Sequence, residues 1–139
     1  MSKTGRCLCG AVTFEAEGEP STVHACHCDD CQRFVGSVFI AVNVTGVTLN
    51  GPVNWFASSE WGERGSCREC GSALFWRLRD EAAASAMGTG IVLGAFDDPS
   101  DFGPIHEHYF ADNMPASYDF KGDGIRMSRE ETLAKFAGE

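Results

Sequence analysis

Apolar and polar positions alternate along much of this chain. Val12, Phe14 and Ala16 interleave with Thr13 and Glu15, the two-residue period of a strand with one buried face. Residues 37–44 (SVFIAVNV) are dense in β-branched and aromatic side chains and predict a core strand. Residues 47–49, 54–57, 73–78 and 91–96 predict further strands, and 105–110 is another candidate. Gly51-Pro52, Gly88, Pro99 and Gly103-Pro104 punctuate the gaps. One helix is expected near the C-terminus: Ser128 and Glu131 have capping-box spacing, and Leu133 and Phe136 follow on one face. Residues 79–90 (RDEAAASAMGTG) read both ways, since alanines favour a helix and the glycines near the end suit a loop. With no internal repeat, low-complexity tract or linker, the expectation is a mainly β single domain over residues 1–139, with a short C-terminal helix.

Composition narrows the classes of function. The 139 residues carry 11 basic and 20 acidic side chains, a formal charge of -9, which repels a phosphate backbone. Lys3 and Arg6, and Arg77 and Arg79, lie close together without forming a basic stripe, so no nucleic-acid partner is expected. No apolar run approaches a membrane span, and no membrane partner is expected. No apolar stretch follows residues 1–6, so no signal peptide is expected and the chain reads as cytoplasmic.

In such a compartment seven clustered cysteines are better explained by metal than by disulfides. They fall as Cys7-x-Cys9-Gly10, Cys26-His27-Cys28-x-x-Cys31 and Cys67-x-x-Cys70-Gly71. Zinc takes soft ligands at tetrahedral corners, and each close pair presents two sulfurs from one turn. The glycine after a pair permits positive φ, which lets amide hydrogens point at sulfur. Neither outer pair closes a site alone, so joining Cys7, Cys9, Cys67 and Cys70 gives a closed site. Cys26, Cys28 and Cys31 supply three corners and leave one for His24, His27, water or a substrate. A reversible disulfide between Cys28 and Cys31 is a rival that leaves Cys26 unexplained. Three thiolates make zinc a weak Lewis acid, which argues against metal-assisted hydrolysis and for holding an incoming thiol as thiolate.

The order C-x-C-G, C-H-C-x-x-C-Q-R-x-x-G-S-x-F and C-x-x-C-G-S-x-L, here residues 7–10, 26–39 and 67–74, resembles the glutathione-dependent formaldehyde-activating enzymes. The likeness continues through residues 94–99 (GAFDDP) and 104–106 (PIH), with Ser66 standing where members often have an aromatic residue. The resemblance implies a zinc-stabilised β-tent fold with two zinc ions. One would be structural, on Cys7, Cys9, Cys67 and Cys70; the other would be associated with catalysis, on Cys26, Cys28 and Cys31. It implies a carbon–sulfur lyase acting on small molecules, a glutathione-like thiol and an aldehyde such as formaldehyde. The alternative from another class is a zinc-stabilised protein-binding module without activity.

Further candidates surround this frame. Arg33 can pair with a substrate carboxylate and Gln32 can orient a substrate through its amide, so both are expected in the thiol-binding site. Ser58 and Ser59 can offer hydroxyls, and Trp55, Trp61 and Trp76 are expected in the core or as pocket wall. His106 and His108, two apart, are expected on one exposed strand face; Asp29 and Asp30 are expected as solvated charge.

Overall fold

The computed structural model describes residues 2–137. In chain order the strands are β1 Lys3–Arg6, β2 Thr13–Ala16, β3 Val23–Cys26, β4 Phe39–Val44, β5 Val47–Asn50, β6 Val53–Ala57, β7 Gly62–Cys67, β8 Ala73–Leu78, β9 Thr89–Val92, β10 Ile105–Tyr109 and β11 Ile125–Arg126. The helices are α1 Asp29–Val35, α2 Glu81–Met87 and α3 Arg129–Ala137. The chain is mainly β, as its alternation predicts. Among the described residues no helix is long and apolar enough to cross a membrane.

These elements group into two compact units. One comprises the chain up to Ser21 together with Ala41–Asp101. It holds a three-stranded antiparallel sheet, β1-β2-β5, and an antiparallel run, β4-β9-β8-β7-β6. Its core is aromatic: Phe14 meets Phe75 and Phe96 edge to face, with centroids 5.7 and 5.2 Å apart. Gly5 is required beside them, because a Cβ there would run into the Ala95 carbonyl and the Phe14 ring. The strand expected over residues 91–96 is shifted: β9 ends at Val92, and Leu93–Ala95 turns as a 3-10 helix. The ambiguous segment becomes α2, whose N-terminus Asp80 caps through the Ala83 amide, followed at once by β9.

The second unit comprises Thr22–Ile40 and the chain from Phe102 onward. Here β3 and β11 flank β10, both parallel to it. Helix α3 begins with the predicted capping box: the Glu131 amide donates to Ser128 Oγ (3.0 Å), and the Ser128 amide donates to Glu131 Oε1 (3.2 Å). Its inward face differs from the expected one. Thr132 is fully buried, while Leu133 stays half exposed and Phe136 packs its ring 5.3 Å from that of Tyr109.

Candidate functional site

The first unit brings four cysteine sulfurs together. Cys7 follows β1 directly and Cys67 closes β7, and each opens a tight turn. The Gly10 amide donates to the Cys7 carbonyl and the Gly71 amide to the Cys67 carbonyl, with both glycines at positive φ (85° and 78°). Amides then point at sulfur: Val12 to Cys7 (3.3 Å), Ala11 to Cys9 (3.4 Å), and Glu69 and Cys70 to Cys67 (3.3 and 3.4 Å). All four sulfurs lie within 4.8 Å of one another. Cys7 and Cys9 stand 3.6 Å apart, and Cys9 and Cys67 3.8 Å. Thiolates bound at about 2.3 Å around a tetrahedral metal are about 3.8 Å apart, so this donor set fits such an ion. The protonation energetics point the same way. The Ser72 hydroxyl, 3.1 Å from Cys70 Sγ, leads the influences that hold Cys70 down at about 5. At Cys9 the Ala11 amide pulls the other way, but burial and the crowding sulfurs leave it at about 11. The neighbouring sulfurs oppose ionisation of Cys9, and a cation among them would relieve that opposition.

The second unit carries the other three. Cys26 ends β3, Cys28 caps α1 by accepting the Cys31 amide on its sulfur (3.3 Å), and Cys31 lies in that helix. The segment is thus a strand end, one connecting residue pair and a first helical turn. Gly36 ends α1 in the left-handed conformation, its amide bonding the Gln32 carbonyl at 2.7 Å. The three sulfurs lie within 4.8 Å of one another. The adjacent Cys28 and Cys31 sulfurs, and then burial, push the Cys26 thiol far up. This trio too needs a cation before all three can ionise.

Neither nearby imidazole joins that trio among the described residues. His24 packs beside Tyr109, with centroids 5.6 Å apart, and burial leads the influences that lower its pKa. His27 is wholly buried and turns its Nε2 to Nδ1 of His108 at 3.0 Å. Burial, with His108 and Arg126 nearby, brings His27 down to about 4.

Gln32 and Arg33 both lie on α1. Gln32 Nε2 donates to the carbonyls of His27 (2.9 Å) and Asn113 (3.1 Å), so its amide joins the cysteine segment to Asn113. Asn113 was not foreseen from sequence. Its amide also bonds the His27 carbonyl and Asp29 Oδ1, both at 2.8 Å, which gives Asp29 a structural partner. Arg33 is exposed in the last turn of α1. The remaining candidates are structural or exposed. Ser58 accepts from Arg64 and Ser59 caps the Gly62 amide at the β6–β7 turn. Trp55 lies under the Arg77 guanidinium at 3.6 Å, while Trp61 is 69 % exposed, against the expectation of core or pocket wall. His106 and His108 do not share a face: a register shift between Ile105 and Glu107 leaves His106 exposed and His108 buried.

Two concavities accompany these clusters, each within one unit. About 420 Å³ opens beside the four-sulfur cluster, where Arg6 is committed to the Cys7 and Leu8 carbonyls and Asp97 to the Thr4 hydroxyl. A smaller one touches Cys28.

Comparison with known proteins agrees with this geometry. The profile of the family described as glutathione-dependent formaldehyde-activating enzyme matches residues 2–112. A Schizosaccharomyces pombe protein named an uncharacterized lyase is 36 % identical over 132 residues, which cover 93 % of this chain and 93 % of that protein. A crystal structure of a Rhodobacter sphaeroides protein shares the fold: its TM-score is 0.58 at 21 % identity, over 76 % of this chain and 98 % of that one. The chain belongs to the glutathione-dependent formaldehyde-activating enzyme family.

Proposed function

We propose that this family member is a zinc-dependent carbon–sulfur lyase which, in the synthetic direction, joins a glutathione-like thiol to a small aldehyde such as formaldehyde. The observation that carries the reading is the division of the cysteines into a closed set of four and a set of three with no imidazole to complete it. Cys7, Cys9, Cys67 and Cys70 would hold a structural zinc, and Cys26, Cys28 and Cys31 the zinc that serves catalysis. Bound at three thiolates, that ion would supply a site where a thiol stays ionised and nucleophilic near neutral pH. The chain's own residues do the rest. Cys28 and the α1 cap fix the trio, and Gln32 and Asn113 clamp the His27 carbonyl between two of the ligands. Exposed on the same short helix, Arg33 is suited to read a carboxylate of the thiol's peptide body. The name of the fission-yeast relative, an uncharacterized lyase, supports the lyase class. A ligand set of reduced cysteines fits a cytoplasmic setting.

Calorimetry with glutathione and S-methylglutathione on the two-zinc protein tests the reading. The methyl derivative keeps every peptide contact and removes only the ionisable sulfur. Glutathione is expected to bind far more tightly, and more tightly at about pH 8 than at about pH 6. Arg33→Ala is expected to weaken it by about 1–3 kcal/mol. Equal affinities for the two ligands would sink the thiolate reading, and binding of neither would favour a zinc-stabilised binding module.

A further inference from the structure

Cys28 borders a cavity of about 110 Å³ walled by Asp29, Phe110, Asp112, Asn113 and Arg129. Two features set this cavity apart from an ordinary surface dent. The first is strain. Phe110 has φ 56° and ψ 43°, and is the one non-glycine residue at positive φ among those described. A bulky side chain rarely adopts that conformation unless its surroundings impose it. Here they do: the Phe110 amide donates to Thr132 Oγ1 (3.0 Å), and the fully buried Thr132 hydroxyl donates in turn to the Ser128 carbonyl (2.7 Å). Helix α3 thus locks Phe110 at the cavity wall.

The second feature is Arg129. Its backbone amide is fixed on Asp112 Oδ1 at 2.7 Å, while its guanidinium lies 5.8 Å from the Phe110 ring centroid. Among the described residues that guanidinium forms no ion pair. Arg129 is exposed at the start of α3 and lines the small opening.

Size and charge decide what would enter. A space of about 110 Å³ is far too small for a tripeptide and suits a molecule of a few heavy atoms. Two carboxylate side chains, Asp29 and Asp112, stand at this rim, each with one oxygen in a hydrogen bond, and their presence disfavours an anion. We propose that this cavity is the seat of the electrophile: it takes a small uncharged carbonyl compound against the Phe110 ring, with Arg129 donating to the carbonyl oxygen. This rests on the proposed function and adds to it the second substrate's place and a catalytic residue.

The step balances without a further reagent. The thiol has given its proton to solvent, and its sulfur lone pair forms the C–S bond to the carbonyl carbon. The C=O pair moves to oxygen, where Arg129 stabilises the growing charge, and that oxygen then takes a proton from water. Arg129 keeps its own protons, and the sum is thiol plus aldehyde giving an S-hydroxyalkyl product.

The test uses the zinc-loaded full chain with formamide, acetamide and formate, followed by NMR at the Phe110 ring and the Arg129 Nε–H. The two amides, unreactive carbonyl mimics, are expected to move both sets of signals and formate neither. Arg129→Gln should abolish those shifts while both metals and the melting temperature are retained. In turnover it should lower kcat/KM for formaldehyde about 100-fold with KM for glutathione unchanged, and Arg129→Lys should recover part of the loss. Formate shifts equal to the amide shifts, no shifts with any probe, or wild-type turnover by Arg129→Gln would each overturn the proposal. If the wild type turns over no aldehyde while the amides still move these signals, the proposed function falls and the carbonyl seat stands.

Discussion

His27 Nε2 and His108 Nδ1 lie 3.0 Å apart, with the two rings parallel to within 9°. Their centroids are 5.3 Å apart, so the rings meet edge to edge through a hydrogen bond rather than face to face. Phe120 and Tyr118 pack around His27, and its Nδ1 is buried without a partner. The pair ties β10 to the residue between Cys26 and Cys28.

His108→Phe keeps a flat ring but leaves the second His27 nitrogen unbonded as well. It is expected to cost about 1–3 kcal/mol in denaturant unfolding. The exposed neighbour is the control: His106→Ala should stay within about 0.5 kcal/mol of wild type. Equal effects would deny the hydrogen bond any part in stability.

Loaded with zinc, the two cysteine clusters are expected to differ in lability. Four cysteines leave a chelator no vacant position, whereas three leave one. Mild chelation should remove about one zinc per chain while the circular dichroism spectrum is unchanged. Cys70→Ser, in the four-cysteine set, should cost stability of the order of the whole domain's net value, and Cys28→Ser should leave a folded but impaired chain. Identical thermal melts for the two variants would contradict the structural-versus-catalytic division.

Lys135 on α3 donates to Glu107 Oε2 (2.7 Å) and Tyr109 Oη (3.2 Å), and Tyr109 donates to Glu107 Oε1 (3.1 Å). Burial opposes ionisation of Glu107, but the bonds from Lys135 and Tyr109 outweigh it and leave its carboxyl below the usual range. The bond to Glu107 raises Lys135 above its usual value. Glu107's contribution is therefore complete above the ordinary carboxylate pKa and is lost as pH falls through its lowered one. That of Lys135 is complete below the ordinary lysine pKa and is lost as pH rises through its raised one. With Lys135 a third exposed, solvent screening limits the effect: Glu107→Gln should cost about 0.5–1 kcal/mol at pH 7. The gap between variant and wild type should close in the acid range. A gap that persists at pH values below the lowered pKa of Glu107 would assign the loss to packing.

Thr132→Val removes the hydroxyl shared by the Phe110 amide and the Ser128 carbonyl at nearly constant volume. The expected loss is about 1–3 kcal/mol, with faster hydrogen exchange at the Phe110 amide. Unchanged exchange there would show that the left-handed turn stands without α3.

The grouping of the cysteines was readable because its geometry is local. A cysteine pair with a following glycine needs only a few residues to aim its sulfurs, and Gly10 and Gly71 take the positive φ expected of them. Strand β8 and the Ser128 cap were equally plain, since alternation and capping are written in neighbouring residues. Helix α1 was not visible. Seven residues are too few for a helical period, and its start depends on the Cys28 sulfur and its end on Gly36. Strand β7 (GERGSC) has almost no apolar signal; its Gly65 is buried because Val53, Trp55 and Phe75 close over the space a side chain would fill. The bulge that parts His106 from His108, and the parallel pairing of β3 with β10, join residues some 80 positions apart. Periodicity tells a strand which face to bury but not which partner it will meet. So the sequence by itself determined the grouping of the cysteines and the β character. Only the tertiary structure set His108 against His27 and Arg129 beside Cys28, because those contacts arise from packing between distant segments.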